Sequence, residues 1–127
     1  MTSFSNSLIT TFATVVLGLL VNSMAGFALS RLHWKGRDAV LTLIIATLIV
    51  PFETIAIPLL FVVTKLPWIW FSPETGLQLE WGWLNTYHVQ VLPFVANAFS
   101  IFLFVQYFKS LPVDFDEAAR VDGASWF

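Results

Sequence analysis

The sequence predicts an all-α, polytopic transmembrane protein, with about three membrane-spanning helices followed by a short cytoplasmic helix. Three observations lead there. Of the 127 residues, 57% are hydrophobic and 17% aromatic against 11% charged, which is not the balance of a soluble domain. The apolar residues fall into three long runs, with nearly all the charges between and after them. The last fourteen residues, Asp114 to Phe127, then change character and read as a polar helix with a stop signal.

The same composition excludes several classes of function. The six Lys and Arg are spread singly over loops, so no basic patch for nucleic acid exists. There is no cysteine, hence no disulfide framework and no thiolate chemistry. His33 and His88 fall in loops expected on opposite sides of the membrane and cannot share a metal. No Gly-x-x-x-x-Gly-Lys-Ser/Thr loop and no Ser/His/Asp set occurs, so no catalytic residue, cofactor or metal is expected, and any ATP hydrolysis belongs to a partner chain. An enzyme reading would rest on Glu53 alone, with no partner group to name.

The first span is Leu8 to Ser30, about 23 residues or roughly 34 Å of helix against a hydrocarbon core of about 30 Å. A cleaved signal peptide is the competing reading, but no basic residue precedes the apolar run. Thr14, Gly18, Asn22, Gly26 and Ser30 recur at every fourth position, a small-residue stripe along which another helix can approach closely, with Asn22 available for an interhelical hydrogen bond. Arg31 to Asp38 then holds three of the six basic residues, which makes this loop cytoplasmic and the N-terminus external.

The second span, about Ala39 to Val63, is not a plain helix. Pro51 and Pro58 each remove a backbone donor and crowd the preceding turn, so kinks or a break are expected. Between them stands Glu53, an ionisable residue inside an apolar run. Two readings stay open: it faces a polar translocation pathway, or Pro51 ends the deep part of the helix and Glu53 lies among headgroups. Thr64 to Gln90 is read as external, since it has no basic excess. Its Trp68, Trp70, Trp81 and Trp83 flank a Ser72-Pro73-Glu74-Thr75-Gly76 turn, so the loop is expected to lie on the membrane, with sugar stacking or contact with an external protein as alternatives. The third span, Val91 to Phe108, is about 18 residues and contains Asn97, read either as a core hydrogen-bonding group or as facing the pathway.

The cytoplasmic segment Lys109 to Phe127 carries the most specific pattern. Asp114 followed by Glu117 has the spacing of a capping box, so a helix should begin near Asp114. Asp116 and Glu117 sit at the positive end of its dipole, Ala118 and Ala119 keep one face shallow enough for a partner to come close, and Gly123 is placed to end it before the chain turns toward Trp126 and Phe127. Taken alone, such a turn is equally a solvated loop.

Glu117-Ala118-Ala119, three residues, then Gly123 resembles the conserved cytoplasmic loop of binding-protein-dependent ABC importer permeases. Ala28, Arg31, Gly36 and Arg37 resemble a second motif of that family in the correct relative place, and VPFETIAIPL, LNTY and IFLFVQYF are similar to segments of the maltose-type sugar permeases. The resemblance implies a partial type I permease fold spanning residues 1–127 in the inner (plasma) membrane. It also implies that Glu117, Ala118, Ala119, Asp122 and Gly123 couple to the ATPase and that Glu53 and Asn97 border the pathway. The partners it implies are a second permease subunit, two ATP-binding subunits, an extracytoplasmic solute-binding protein, a carbohydrate substrate and the lipid bilayer. In the family the loop motif continues past its glycine and about six spans are usual, so the sequence reads as the middle of a permease. The alternative is a truncated remnant or a small membrane assembly protein without transport activity.

Overall fold

The computed structural model describes residues 2–125. Trp126 and Phe127 lie outside the described residues, as do the side chains at 70–72. Helix α1 (Thr2–Ser30) has 29 residues, about 43 Å of helix. It begins earlier than Leu8, where hydropathy alone put its start. Ser7 and Thr10 donate their hydroxyls to the Ser3 and Asn6 carbonyls one turn back, at 3.0 Å each, so these polar residues remain helical.

The second apolar run forms two helices, α2 (Arg37–Thr47) and α3 (Phe52–Lys65), bent by 100° at the break between them. Pro51 sits at that break with φ −67° and ψ 143°, and it biases Val50 away from helix as well. The break expected from the prolines is there, while Pro58 is carried inside α3. Leu66 leads into an antiparallel hairpin of β1 (Pro67–Ser72) and β2 (Gly76–Trp81), in which Trp68 pairs with Glu80 and Ile69 with Leu79. These strands are the departure from an all-helical reading. The hairpin is tied to the end of α3, since the Gly82 and Trp83 amides donate to the Leu66 and Val63 carbonyls at 3.0 and 2.9 Å.

The sequence predicts one span over the third run, from Val91 to Phe108. It is longer and interrupted: α4 (Tyr87–Val95) and α5 (Ala98–Ser110) are separated by Ala96 and Asn97 in extended conformation. Asn97 opens α5 as its N-cap, accepting from the Ser100 amide at 3.0 Å, which is why the helix restarts there. α1 lies against both halves, and α2 packs beside α5. The core is small: Leu29, Ile101 and Val105, with Ala25, Leu41 and Ile44 against it. On the stripe, Gly18, Asn22 and Gly26 are buried, and a Cβ on Gly26 would come within 2.5 Å of the Phe104 Cβ, so only glycine permits this approach of α1 to α5.

Outward-facing side chains such as Leu19, Met24, Phe61 and Leu103 are half or more exposed and almost all apolar, the pattern of helices whose solvent is lipid or other helices. Among the described residues, α1 and the α4–α5 segment Tyr87–Ser110 are long and apolar enough to cross a membrane, and α2 with α3 makes a third if the bent pair is one span.

Candidate coupling site

Helix α6 (Asp114–Val121) starts where the acidic spacing put it, but not by the expected cap. Leu111 is extended, as the residue before a proline prefers, and the helical turn opens at Pro112 and Val113. The Asp116 and Glu117 amides donate to the Val113 carbonyl at 2.9 and 3.1 Å, and no side chain caps the helix. Asp114 therefore stands inside the first turn, and its reciprocal bond with Glu117 does not form. The turn already begins at Pro112, two residues before Asp114.

The far end matches its expectation in detail. Gly123 has φ +89°, its amide donates to the Arg120 carbonyl at 3.1 Å, and the Ala124 amide reaches back to Ala119 at 2.9 Å. This pair of bonds is a Schellman stop, for which the left-handed residue is ordinarily glycine. No neighbouring atom lies within 4 Å of where a Gly123 Cβ would be, so the backbone conformation alone demands glycine here.

At 100° per residue, Phe115, Ala118 and Ala119 share one side of α6, while Asp116, Glu117 and Arg120 share another. The polar side faces the rest of the chain: Asp116, Glu117 and Arg120, with Val113, Ser30, Arg31 and His33, line a cavity of about 310 Å³. The other side faces away. Phe115 is 68% exposed, and Ala118 and Ala119 are exposed beside it. From the end of α1 the Arg31 guanidinium reaches across, one nitrogen 3.1 Å from an Asp116 carboxylate oxygen and another donating to the Leu111 carbonyl at 2.9 Å. Glu117 thus borders the polar cavity, and Asp122 is the exposed C-cap next to Gly123.

The two residues assigned to the pathway do not come together. Asn97 lines a second cavity of about 290 Å³ between α1 and the α4–α5 break, with Thr14, Gly18, Asn22, Ser100 and Phe104 among its walls. Glu53 does not line it. It stands exposed in the first turn of α3, just past the bend, while its neighbour Phe52 packs on Phe94 at a ring distance of 5.7 Å. An exposed carboxylate beside the bend is compatible with both readings given to it. Among the described residues no cluster of three or more metal-ligating side chains occurs.

Residues 15–127 match the family described as the binding-protein-dependent transport system inner membrane component. The chain belongs to this family. It is 36% identical over 124 residues to the arabinooligosaccharides transport system permease protein AraQ of Halalkalibacterium halodurans, covering 98% of this chain and 39% of that protein. It is 37% identical over 120 residues to the lactose transport system permease protein LacG of Rhizobium radiobacter, covering 94% of this chain and 38% of LacG. The trehalose/maltose transport system permease protein MalG of Thermococcus litoralis is 30% identical over 122 residues, with 94% and 38% covered. The chain therefore spans about two fifths of the length of these curated relatives, 38–39%. No solved structure matches it.

Three further residues of the α6 site are not singled out for it by the sequence pattern. Phe115 belongs to the outward side of α6 and was legible as the residue three before Ala118 and four before Ala119. The sequence places Asp116 at the positive end of the helix dipole, whereas its carboxylate is engaged by Arg31. Arg31 belongs to a motif in its own loop, but no local signal joins it to a helix more than eighty residues onward.

Proposed function

We propose that the chain forms part of the transmembrane permease subunit of a carbohydrate ABC importer and couples to the ATPase through α6. In this reading it sits as a multi-pass component of the inner (plasma) membrane. A second permease subunit completes the pathway, two ATP-binding subunits supply the hydrolysis, and an extracytoplasmic binding protein delivers the sugar. The carbohydrate class rests on the names of the relatives, which are permeases of arabinooligosaccharide, lactose and trehalose/maltose systems.

The observation that carries the coupling assignment is the exposed side of α6. Phe115, Ala118 and Ala119 form a shallow apolar strip on a helix that ends in a firm Schellman stop and is held to α1 by Arg31. A partner can seat on that strip, and a push on it is passed into the membrane helices instead of being absorbed by a loose loop.

Gly123→Val in the assembled importer tests this. A β-branched residue in left-handed conformation costs roughly 1–2 kcal/mol, so the stop should reshape and uptake should fall about tenfold or more, with the membrane helices still inserted. The failure should appear as ATP hydrolysis or ATPase docking that no longer responds to loaded binding protein. Glu117→Ala, which leaves the backbone geometry available, should be milder. Wild-type uptake by the Val variant with the ATPase normally bound would remove α6 as the coupling element and favour a remnant or assembly protein.

A further inference from the structure

No residue of α6 is buried, and its apolar residues Phe115 and Val121 are 68% and 86% exposed. Apolar packing therefore does not hold this helix to the bundle. Polar contact does. The Arg31 side chain is 9% exposed and that of Asp116 is 26% exposed, so the ion pair between them is largely shielded from water and its attraction is little screened. The same guanidinium donates through a second nitrogen to the Leu111 carbonyl, on the far side of the Pro112 turn from Asp116.

We propose that Arg31 is a positioning residue for coupling: it clamps α6 to the end of α1 at two points, before and after the turn that starts the helix, so that the two move as one. The proposal rests on the coupling role given to α6 above. Leu111 ends α5 as its C-cap, so the clamp fastens three elements at a single place: the last residues of α1, the end of α5 and the first turn of α6. A load on Ala118 and Ala119 then reaches α1, which packs along both halves of the third span. The geometry calls for arginine. A planar fork presents two nitrogens in fixed directions, one to a carboxylate and one to a carbonyl, whereas a lysine ammonium on its flexible stem does not fix both directions at once.

The test uses the assembled importer: the permease with its second permease, ATPase subunits and binding protein, the last loaded from a panel of arabinotriose, lactose, trehalose and maltose. The measured quantity is the ratio of stimulated to basal ATP hydrolysis. Arg31→Met keeps an unbranched apolar stem and removes the charge, and should lower that ratio by about tenfold, the effect of losing the ion pair to Asp116 together with the charged donor to Leu111. Arg31→Lys should fall between Met and wild type. The exchange Arg31→Asp with Asp116→Arg should recover part of the ratio, since it restores the ion pair but not the bond to Leu111. Hydrogen exchange of the α6 amides should rise in the Met variant. If Arg31→Met assembles and is stimulated like wild type, the clamp is not part of coupling. If Met fails to assemble, Lys decides: a Lys variant with the full wild-type ratio overturns the two-point clamp, and an intermediate ratio upholds it. Gly123→Val in the same assay separates the two claims, because loss there with wild-type behaviour of Arg31→Met sinks the clamp alone, whereas no loss at Gly123 sinks the role of α6.

Discussion

Asn22 is 4% exposed, and both ends of its amide are used. Its nitrogen donates to the Gly18 carbonyl at 2.6 Å and to the Val95 carbonyl at 2.9 Å, and its oxygen accepts from the Asn97 amide at 2.9 Å. The Val95 carbonyl and Asn97 amide are among the groups that the interruption between α4 and α5 strips of helical partners. A gap in a helix at membrane depth is tolerable when protein fills its hydrogen bonds, and one side chain from α1 does so here. Asn22→Ala would orphan both groups and should destabilise the bundle by about 1–3 kcal/mol, with values near the lower end if lipid-phase partners substitute. Unfolding in bicelles would measure it, and an unchanged midpoint would show that the interruption closes without Asn22. The sequence made Asn22 visible as a hydrogen-bonding member of a small-residue stripe. Its partners were not visible, because Val95 and Asn97 lie 73 and 75 residues away.

The hairpin is the element least visible in the sequence. Its turn and its tryptophans stand out, but Pro67 to Phe71 is apolar throughout and so lacks the period-two alternation that announces a half-buried strand. In β2 the alternation is plain: Leu77, Leu79 and Trp81 share one face and Gln78 and Glu80 the other. Pairing places Pro67 opposite Trp81 and Ile69 opposite Leu79, so one face carries Pro67, Ile69, Leu77, Leu79 and Trp81, every one of them exposed. On the opposite face Trp68 lies against His88 in a tilted ring contact at 3.7 Å between centres and meets Trp83 edge-on at 6.2 Å, which fixes the hairpin over the start of α4. We therefore expect the exposed apolar face to lie against the headgroup boundary. Spin labels should distinguish it: a label at Leu79 should collide more with oxygen than with a water-soluble nickel chelate, and one at Gln78 the reverse. Equal accessibilities at the two sites would detach the hairpin from the lipid surface. The bend at Pro51 and the stop at Gly123, by contrast, were legible, because proline and glycine act through local backbone sterics that need no distant partner.

The whole molecule has two distinct ends, and two long-range contacts say which segments share each one. Tyr87, which begins α4, donates its hydroxyl to the Asn6 side chain at 2.7 Å, so the start of α1 lies beside the end of the hairpin loop. Arg31 joins the other end of α1 to α6. Five of the six basic residues, Arg31, Lys35, Arg37, Lys109 and Arg120, fall at the end that holds α6, and Lys65 alone falls at the other. By the positive-inside rule we expect α6 in the cytoplasm and the N-terminus and hairpin outside. This orientation requires α2 and α3 together to return the chain across the membrane despite their 100° bend. A re-entrant loop would instead leave both sides of the pair on the cytoplasmic face, in conflict with the Tyr87–Asn6 contact. Single cysteines at Glu74 and Ser125 should therefore react with an impermeant maleimide from opposite sides, Glu74→Cys in intact cells and Ser125→Cys after the membrane is opened. The reverse pattern, with Ser125→Cys reacting in intact cells and Glu74→Cys only after the membrane is opened, would make the bent pair re-entrant, reverse the direction of the third segment and place α6 out of reach of any cytoplasmic ATPase, while labelling of both from the same side would mean that Tyr87–Ser110 does not cross the membrane.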